Sequence, residues 1–597
     1  MALKLFLIRM LSGLNDSGGF EMLFGNKNIW ERRSALLESA AGTSHKMFFE
    51  NKKIAAFFLL LALFLGRGFY AFSEEMEGGN SAEGLSEGLV SSVDSAGGLS
   101  TGGQFAEGRV SGQLSGVQAL EDHFTGGQLS EGQGYGHLSN GQALEDHFTG
   151  GQLSEGQVYG HHSNGQASII QKKLSNDIPV FLKKVKGSKI LSVYFLMDGG
   201  VSTFSSELSG LEEAMTNMLC QGSVSYSKEE NDAFFFEKLS SFDVMNYQNG
   251  CAFSMTSLVK YFDQTFERFT DAFLNPAWDQ KEFENMMRTY RQNIFSMMNN
   301  PSSLVFYYSR LLNYQDHPYR TSSSVTEESL PNITIAELKK HHSLLLDSRR
   351  IKVVVSGDFE EDEILEKIDS KIGWLPAKKG ELASHDVPSL KISGGNAVFV
   401  HEGASGTGFV LRTFECPGLF DKDFAPCILA SDIYDNILFN VVREKRGICY
   451  SPQTGVMTSR AGFGYEYLYR VSNFEDLKDA LAEARSIMKE GKLIEGKAGD
   501  GSYNYIDIRE KLEAYKNSFI NSRYQSQQTV SGVGNRIASS LLIGGKPDWS
   551  DEFASQVLAV SAEEILQVFE KYWLSSPSRF FCVTGRDRQE IAEKIFQ

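Results

Sequence analysis

All twelve prolines and all six cysteines of this chain lie at or beyond Pro179. Packed, turn-punctuated structure is therefore expected only in residues 168–597. Before it, residues 74–167 hold 22 glycines and 13 acidic residues against one arginine, Arg109, and no lysine. Glycine loses the most entropy on ordering and offers no side chain to bury, so this stretch reads as a solvated spacer. It contains a 24-residue repeat: QALEDHFTGGQLSEGQ runs from Gln118 to Gln133, recurs from Gln142 to Gln157, and a third copy is cut short at Gln166-Ala167. The repeated histidines (His123, His137, His147, His161, His162) could bind metal weakly, but a flexible reach is the favoured role.

The formal charge of −17 divides unevenly: −12 in the spacer, +4 in residues 1–73 and −9 in residues 168–597. An acidic folded part argues against a binder of nucleic-acid phosphates, which needs a basic face. Composition is otherwise that of a globular protein, 41% hydrophobic and 22% charged, which excludes collagen-like, coiled-coil and polytopic membrane chains. Near the start, Asn51-Lys52-Lys53 precedes an apolar run from Ile54 to Gly66, and Ala71-Phe72-Ser73 follows. A basic flank, a run too short to span a bilayer and small residues at a cut site describe a secretory signal over 47–73. Met47 is then the natural start and 1–46 an upstream extension; an uncleaved signal anchor is the alternative. The protein is expected to be exported, periplasmic or extracellular, with no other membrane span.

From Ile178 onward the pattern is α/β. Ile178–Leu182 and Ile190–Leu196 are strand-like runs split by a charged, glycine-containing turn. Leu208, Leu211, Met215, Met218 and Leu219 repeat at helical spacing. A longer helix is expected over Gln280–Asn299, with Phe283, Met286, Met287, Tyr290, Ile294 and Met297 on its apolar side. Ile351–Ser356 closes a first unit. A polar linker, 376–389, leads to a second unit of similar plan: strands at Ala397–Val400 and Gly408–Thr413, a helix over Ala425–Arg446 stopped by Gly447, and a closing strand at Phe580–Thr584. Two homologous domains, 168–375 and 390–597, are expected.

DIPVFLKKVKGSKILSVYFLMDGGVS, SGLEEAMTNMLCQGS, NYQDHPY and VVVSGDF, in that order, resemble the pitrilysin/insulinase-like zinc peptidases, the inverzincins that include mitochondrial processing peptidase. The resemblance covers 168–597 and implies two homologous α/β domains forming half of a clamshell around an extended peptide. That family needs His-x-x-Glu-His on one helix, two imidazoles on one face holding zinc and a glutamate activating its water, with a distal glutamate as third ligand. Here the matching positions carry Glu213, Thr216 and Asn217, and Asn293 stands 76 positions beyond Asn217. An asparagine amide is a poor zinc ligand and a threonine hydroxyl no general base at neutral pH. The resemblance therefore implies a degenerate centre, with no metal held by this chain.

Arg443 and Tyr450, in VVREKRGICYS, match the family's arginine–tyrosine pair, which donates hydrogen bonds to substrate and to the growing oxyanion. The reading that follows is an exported, zinc-less subunit of a heterodimeric peptidase. A zinc-bearing partner of the same family would supply the metal; this chain would supply Arg443, Tyr450 and half the peptide chamber. The alternative is a non-catalytic peptide-binding or assembly protein. A self-sufficient peptidase, using Glu213 and histidines from elsewhere, is disfavoured because no histidine shares a helix face with either asparagine. His341 and His342, in AELKKHHSLLL, read as surface histidines. Cys220, Cys251, Cys416, Cys427, Cys449 and Cys582 lack a framework spacing and read as buried free thiols.

Overall fold

A computed structural model describes residues 168–382 and 384–596. The signal over 47–73, the upstream stretch and the repeats with their histidines lie outside the described residues.

The first half builds a six-stranded sheet from β1 (Ile170–Lys173), β2 (Pro179–Lys184), β3 (Ile190–Asp198), β4 (Ser241–Tyr247), β5 (Gly250–Leu258) and β6 (Ile351–Gly357), in the order β1-β2-β6-β3-β5-β4. Its helices are α1 (Leu211–Leu219), α2 (Lys228–Lys238), α3 (Phe262–Leu274), α4 (Gln280–Met298), α5 (Pro301–Asn313), α6 (Ile335–Leu345) and α7 (Glu361–Ile372). The second half builds a five-stranded sheet from β7 (Ala397–Val400), β8 (Gly408–Glu415), β9 (Ser451–Val456), β10 (Phe463–Val471) and β13 (Ser578–Thr584), in the order β7-β13-β8-β10-β9, beside a separate hairpin of β11 (Lys492–Lys497) and β12 (Tyr503–Asp507). Its helices are α8 (Phe424–Leu438), α9 (Leu477–Lys489), α10 (Ile508–Ser526), α11 (Val530–Ser539), α12 (Trp549–Ala559), α13 (Ala562–Val568) and α14 (Gln589–Phe596). Without β1 the two sheets share one plan. In each, the first strand runs parallel to the last (β2 with β6, β7 with β13) and the other pairings are antiparallel. The duplication expected from the sequence is thus present in topology.

The unbroken apolar run of β3 is explained by cover on both faces. On one side Phe195 packs against Phe266, Phe269 and Phe273 of α3. On the other side the cover comes from the second half: Ile537 and Ala538 of α11, with Leu541 and Leu542 just beyond it, form a buried cluster with Phe181, Tyr194, Leu196 and Val354. The Tyr194 hydroxyl donates to Ser531 O at 2.7 Å and the Ser356 hydroxyl to Val530 O at 2.9 Å. Gly534 lets this helix lie so close, since a Cβ there would come within 2.4 Å of the Tyr194 ring. The first half returns the arrangement. Leu304, Val305 and Phe306 of α5 are buried with Phe409, Leu411, Phe581 and Val583 of the second sheet, and Asn313 Nδ2 donates to Thr413 Oγ1 at 3.0 Å. Each such large side chain contributes about 1.5–3 kcal/mol when fully buried, so each sheet depends on a helix from the other half.

Among the described residues no helix or strand lies between Ile372 and Ala397, yet Leu390 and Ile392 are buried, and His385 Nε2 meets Asp198 Oδ1 at 2.5 Å. The helix expected over 425–446 is α8 continued by a π-helical segment, Phe439–Lys445, and Gly447 takes the left-handed conformation (φ 57°) that ends it. Arg446 pairs with Glu483 of α9 at 2.6 Å. All six cysteines are free. Burial raises the pKa of all six thiols, to about 12 at Cys220 and at Cys449, so none is a ready nucleophile.

Candidate functional site

Helix α1 starts at Gly210, in the left-handed conformation (φ 76°), where a Cβ would strike the backbone of Val325 at 2.1 Å. Two acids occupy its first turn, where the helix dipole favours negative charge. Each holds a loop. The Glu212 carboxylate accepts the Gly200 N–H at 2.9 Å, and Glu213 Oε2 accepts the Val325 N–H at 2.9 Å. Glu213 is buried, and burial raises its pKa to about 8. One turn on, the Thr216 hydroxyl donates to the carbonyls of Glu212 and Glu213, at 3.0 Å each, and lies 3.1 Å from Asn246 Oδ1 on β4. Asn217 Nδ2 donates to the Tyr290 hydroxyl of α4 at 2.7 Å. The residue that reaches the motif from α4 is therefore Tyr290. Asn293 sits half-buried about one turn further and makes no hydrogen bond to the three.

Zinc does not fit this donor set. The one carboxylate at a motif position holds a backbone N–H. The amide nitrogen and the hydroxyl are spent as donors, and neither imidazole nor thiolate is present. Among the described residues no three His, Cys, Asp or Glu side chains are grouped so as to hold a metal ion.

The expectation of surface histidines at 341 and 342 is overturned. Both are buried: His341 Nε2 lies 3.0 Å from Glu212 Oε2, and His342 Nε2 lies 2.8 Å from Phe273 O. Helix α6 packs on α1, so the acid that partners His341 comes from 129 positions away in sequence. Glu212→Ala would leave a buried imidazole and the Gly200 N–H without their acceptor. It is expected to cost roughly 3 kcal/mol of unfolding free energy, and Glu212→Gln less. Denaturant unfolding measures this, and a loss below about 1 kcal/mol from Glu212→Ala would contradict the assigned clamp.

In the second half Arg443 and Tyr450 stand together. The Arg443 guanidinium lies 4.9 Å from the ring centres of both Phe439 and Tyr450, a cation–π arrangement that fixes a long side chain. Tyr450 is 63% exposed, its N–H donating to Tyr469 O at 3.0 Å. Unlike the α1 positions, this pair is partly open to solvent: the Arg443 side chain is a third exposed, with its Nε 3.5 Å from Glu444 Oε1. Sequence reasoning missed a twin of the α1 motif. Asp432, Asp435 and Asn436 on α8 have the spacing of Glu213, Thr216 and Asn217, and Asp435 Oδ1 accepts from Thr454 N of edge strand β9 at 2.9 Å, as Thr216 reaches edge strand β4. Burial raises the pKa of each aspartate to about 7, Asp432 being pushed further by Asp435. The signal was in the text as D-I-Y-D-N against E-A-M-T-N.

Residues 332–493 match the family described as the peptidase M16 inactive domain. The non-peptidase homolog YmxG of Helicobacter pylori is 19% identical over 413 residues, covering 67% of this chain and 90% of that protein. Three solved structures share the fold. A peptidase M16 inactive domain from Pseudomonas fluorescens has a TM-score of 0.58 at 15% identity, covering 70% of this chain and 98% of that one. A protease from Helicobacter pylori gives 0.60 at 14%, covering 70% and 100%. The periplasmic protease PqqL from Escherichia coli gives 0.55 at 15%, covering 74% of this chain and 50% of that one.

Proposed function

We propose that this chain, a pitrilysin-like M16 homologue with a degenerate zinc motif, is the exported, non-catalytic subunit of a two-chain metallopeptidase. A zinc-bearing partner of the same family would supply His-x-x-Glu-His, its distal glutamate and the metal, which polarises the scissile carbonyl and activates water. This chain would supply half the peptide chamber, with Arg443 and Tyr450 donating hydrogen bonds to the substrate and to the oxygen on which charge develops. One contrast carries the reading: Glu213, Thr216 and Asn217 each spend a side-chain polar atom on a neighbour within the fold, while Tyr450 is exposed beside Arg443, whose side chain is a third exposed. Export is supported by the signal-like sequence over 47–73.

The test is reconstitution with a family partner that carries the intact motif. The full chain alone is expected to hold well under one zinc after dialysis against a weak chelator and to cleave nothing. Hydrolysis of an unstructured peptide should appear only in the mixture. One tight zinc per chain, with activity on its own, would sink the proposal. A second reading, a peptide-binding protein without chemistry, is favoured by the free edge of β4, which borders α1 through Asn246 and can add an extended peptide as a further strand. Peptide binding that no partner converts into hydrolysis would select it.

A further inference from the structure

A cavity of about 210 Å³ lies where the β4–β5 turn of the first half meets the segment after β9 and the α10–α12 region of the second. Three arginines line it: Arg460, Arg523 and Arg536. Arg523 and Arg536 are each only 8% exposed and share a single carboxylate, Asp551, which Arg536 Nη1 reaches at 2.6 Å and Arg523 Nη2 also contacts. Arg523 Nη1 turns instead to Ser550, at 2.5 Å from its carbonyl and 2.7 Å from its hydroxyl. Arg460 Nη1 has only the outlying Asp386, at 3.4 Å. A further cation, Lys183, is buried nearby, and burial followed by Arg536 lowers its pKa. Positive charge thus outnumbers negative around a cavity that is partly open to solvent. The residues that line the cavity include these three arginines and no aspartate or glutamate. The opposite wall is apolar, with Leu542, Ile543 and Trp549.

We propose that this cavity binds the carboxylate of an apolar amino acid, supplied as the C-terminal residue of a peptide. Three guanidinium groups in a lining that holds no acid match a carboxylate, for which arginine is the preferred partner. Leu542, Ile543 and Trp549 match an apolar side chain, and the volume admits one residue of about leucine size. The proposal rests on the peptide-binding part of the function given above and names the end of the peptide that is held.

The experiment uses the full chain alone, so failure to find a peptidase partner leaves its outcome untouched. Calorimetric titration compares the peptide Ala-Ala-Ala-Leu with its C-terminal amide, with N-acetyl-leucine and with inorganic phosphate. The free acid is expected to bind at least tenfold more tightly than the amide, and Arg536→Gln to lose at least tenfold for the acid alone. Should Arg536→Gln not fold, Arg460→Gln, at a more exposed residue, is expected to show the same selective loss. N-acetyl-leucine binding as tightly as the peptide would assign the site to a free amino-acid derivative and overturn the peptide end. Equal binding of acid and amide, phosphate as good as the peptide, no binding at all, or variants indistinguishable from the wild type would each overturn the proposal.

Discussion

Arg443→Ala is expected to lower kcat/KM of the proposed two-chain complex at least a hundredfold while the complex stays assembled. Loss of one preorganised donor to a developing oxyanion typically costs a factor of about 10²–10³. The Arg443 guanidinium is preorganised by lying between Phe439 and Tyr450. Fold stability should hardly change, because the side chain is a third exposed and its ion pair is a loose contact with the adjacent Glu444 at 3.5 Å. Tyr450→Phe, which keeps the ring that the guanidinium rests on, should cost less, about tenfold. Arg446→Ala is the control: it sits three positions on but is tied to Glu483, and it should leave turnover near normal. Gel filtration and steady-state kinetics on the three variants decide the matter. If Arg443→Ala turned over at the wild-type rate, the assigned role would be wrong.

The second large effect concerns Glu213. Its carboxyl titrates near the usual 4.5 when unfolded and at about 8 when folded. The folded protein therefore binds a proton there that the unfolded chain has released, and this group's contribution is whole below pH 4.5 and lost as pH rises to 8. Glu213→Gln mimics the protonated form and can still accept the Val325 N–H. At pH 8 the variant is expected to be more stable than the wild type by a few kcal/mol, and at pH 4.5 the two should converge. Unfolding curves at the two pH values measure the difference directly, since Asp432 and Asp435, which drift in the same direction, and His342, which burial shifts oppositely, are common to both proteins. A pH-independent difference would mean that Glu213 is charged in the native state.

Much of the fold was legible because it is local. The apolar runs of β2, β3 and β6 and the periodicity of α1 are read from a few consecutive residues, and Gly447 marks its helix end by conformation alone. The α1 motif positions, and Arg443 and Tyr450, were singled out only by the resemblance to a family. What escaped is set by contacts remote in sequence. His341 reads as a surface residue until Glu212 is brought beside it. Tyr290, not Asn293, meets Asn217, because the turn of α4 that faces α1 is fixed by packing and not by counting. The apolar side expected for α4 does face inward: Met287 and Tyr290 are buried, and Phe283, Met286 and Ile294 pack half-buried against the same core. The π-helical stretch that carries Arg443 has no compositional mark.

The crossed helices bear on how the protein is made. Once Gly357 has been synthesised, every strand of the first sheet exists, but the face carrying Tyr194, Leu196 and Val354 stays bare until Val530–Leu542 follows. A nascent chain of this design cannot finish its first half before its second is nearly complete. During that interval it presents a broad apolar surface, the condition under which aggregation competes with folding. Such a polypeptide suits transport in an unfolded state followed by a single late assembly, and any stall in translation after the first half would release an intermediate in need of a holding chaperone.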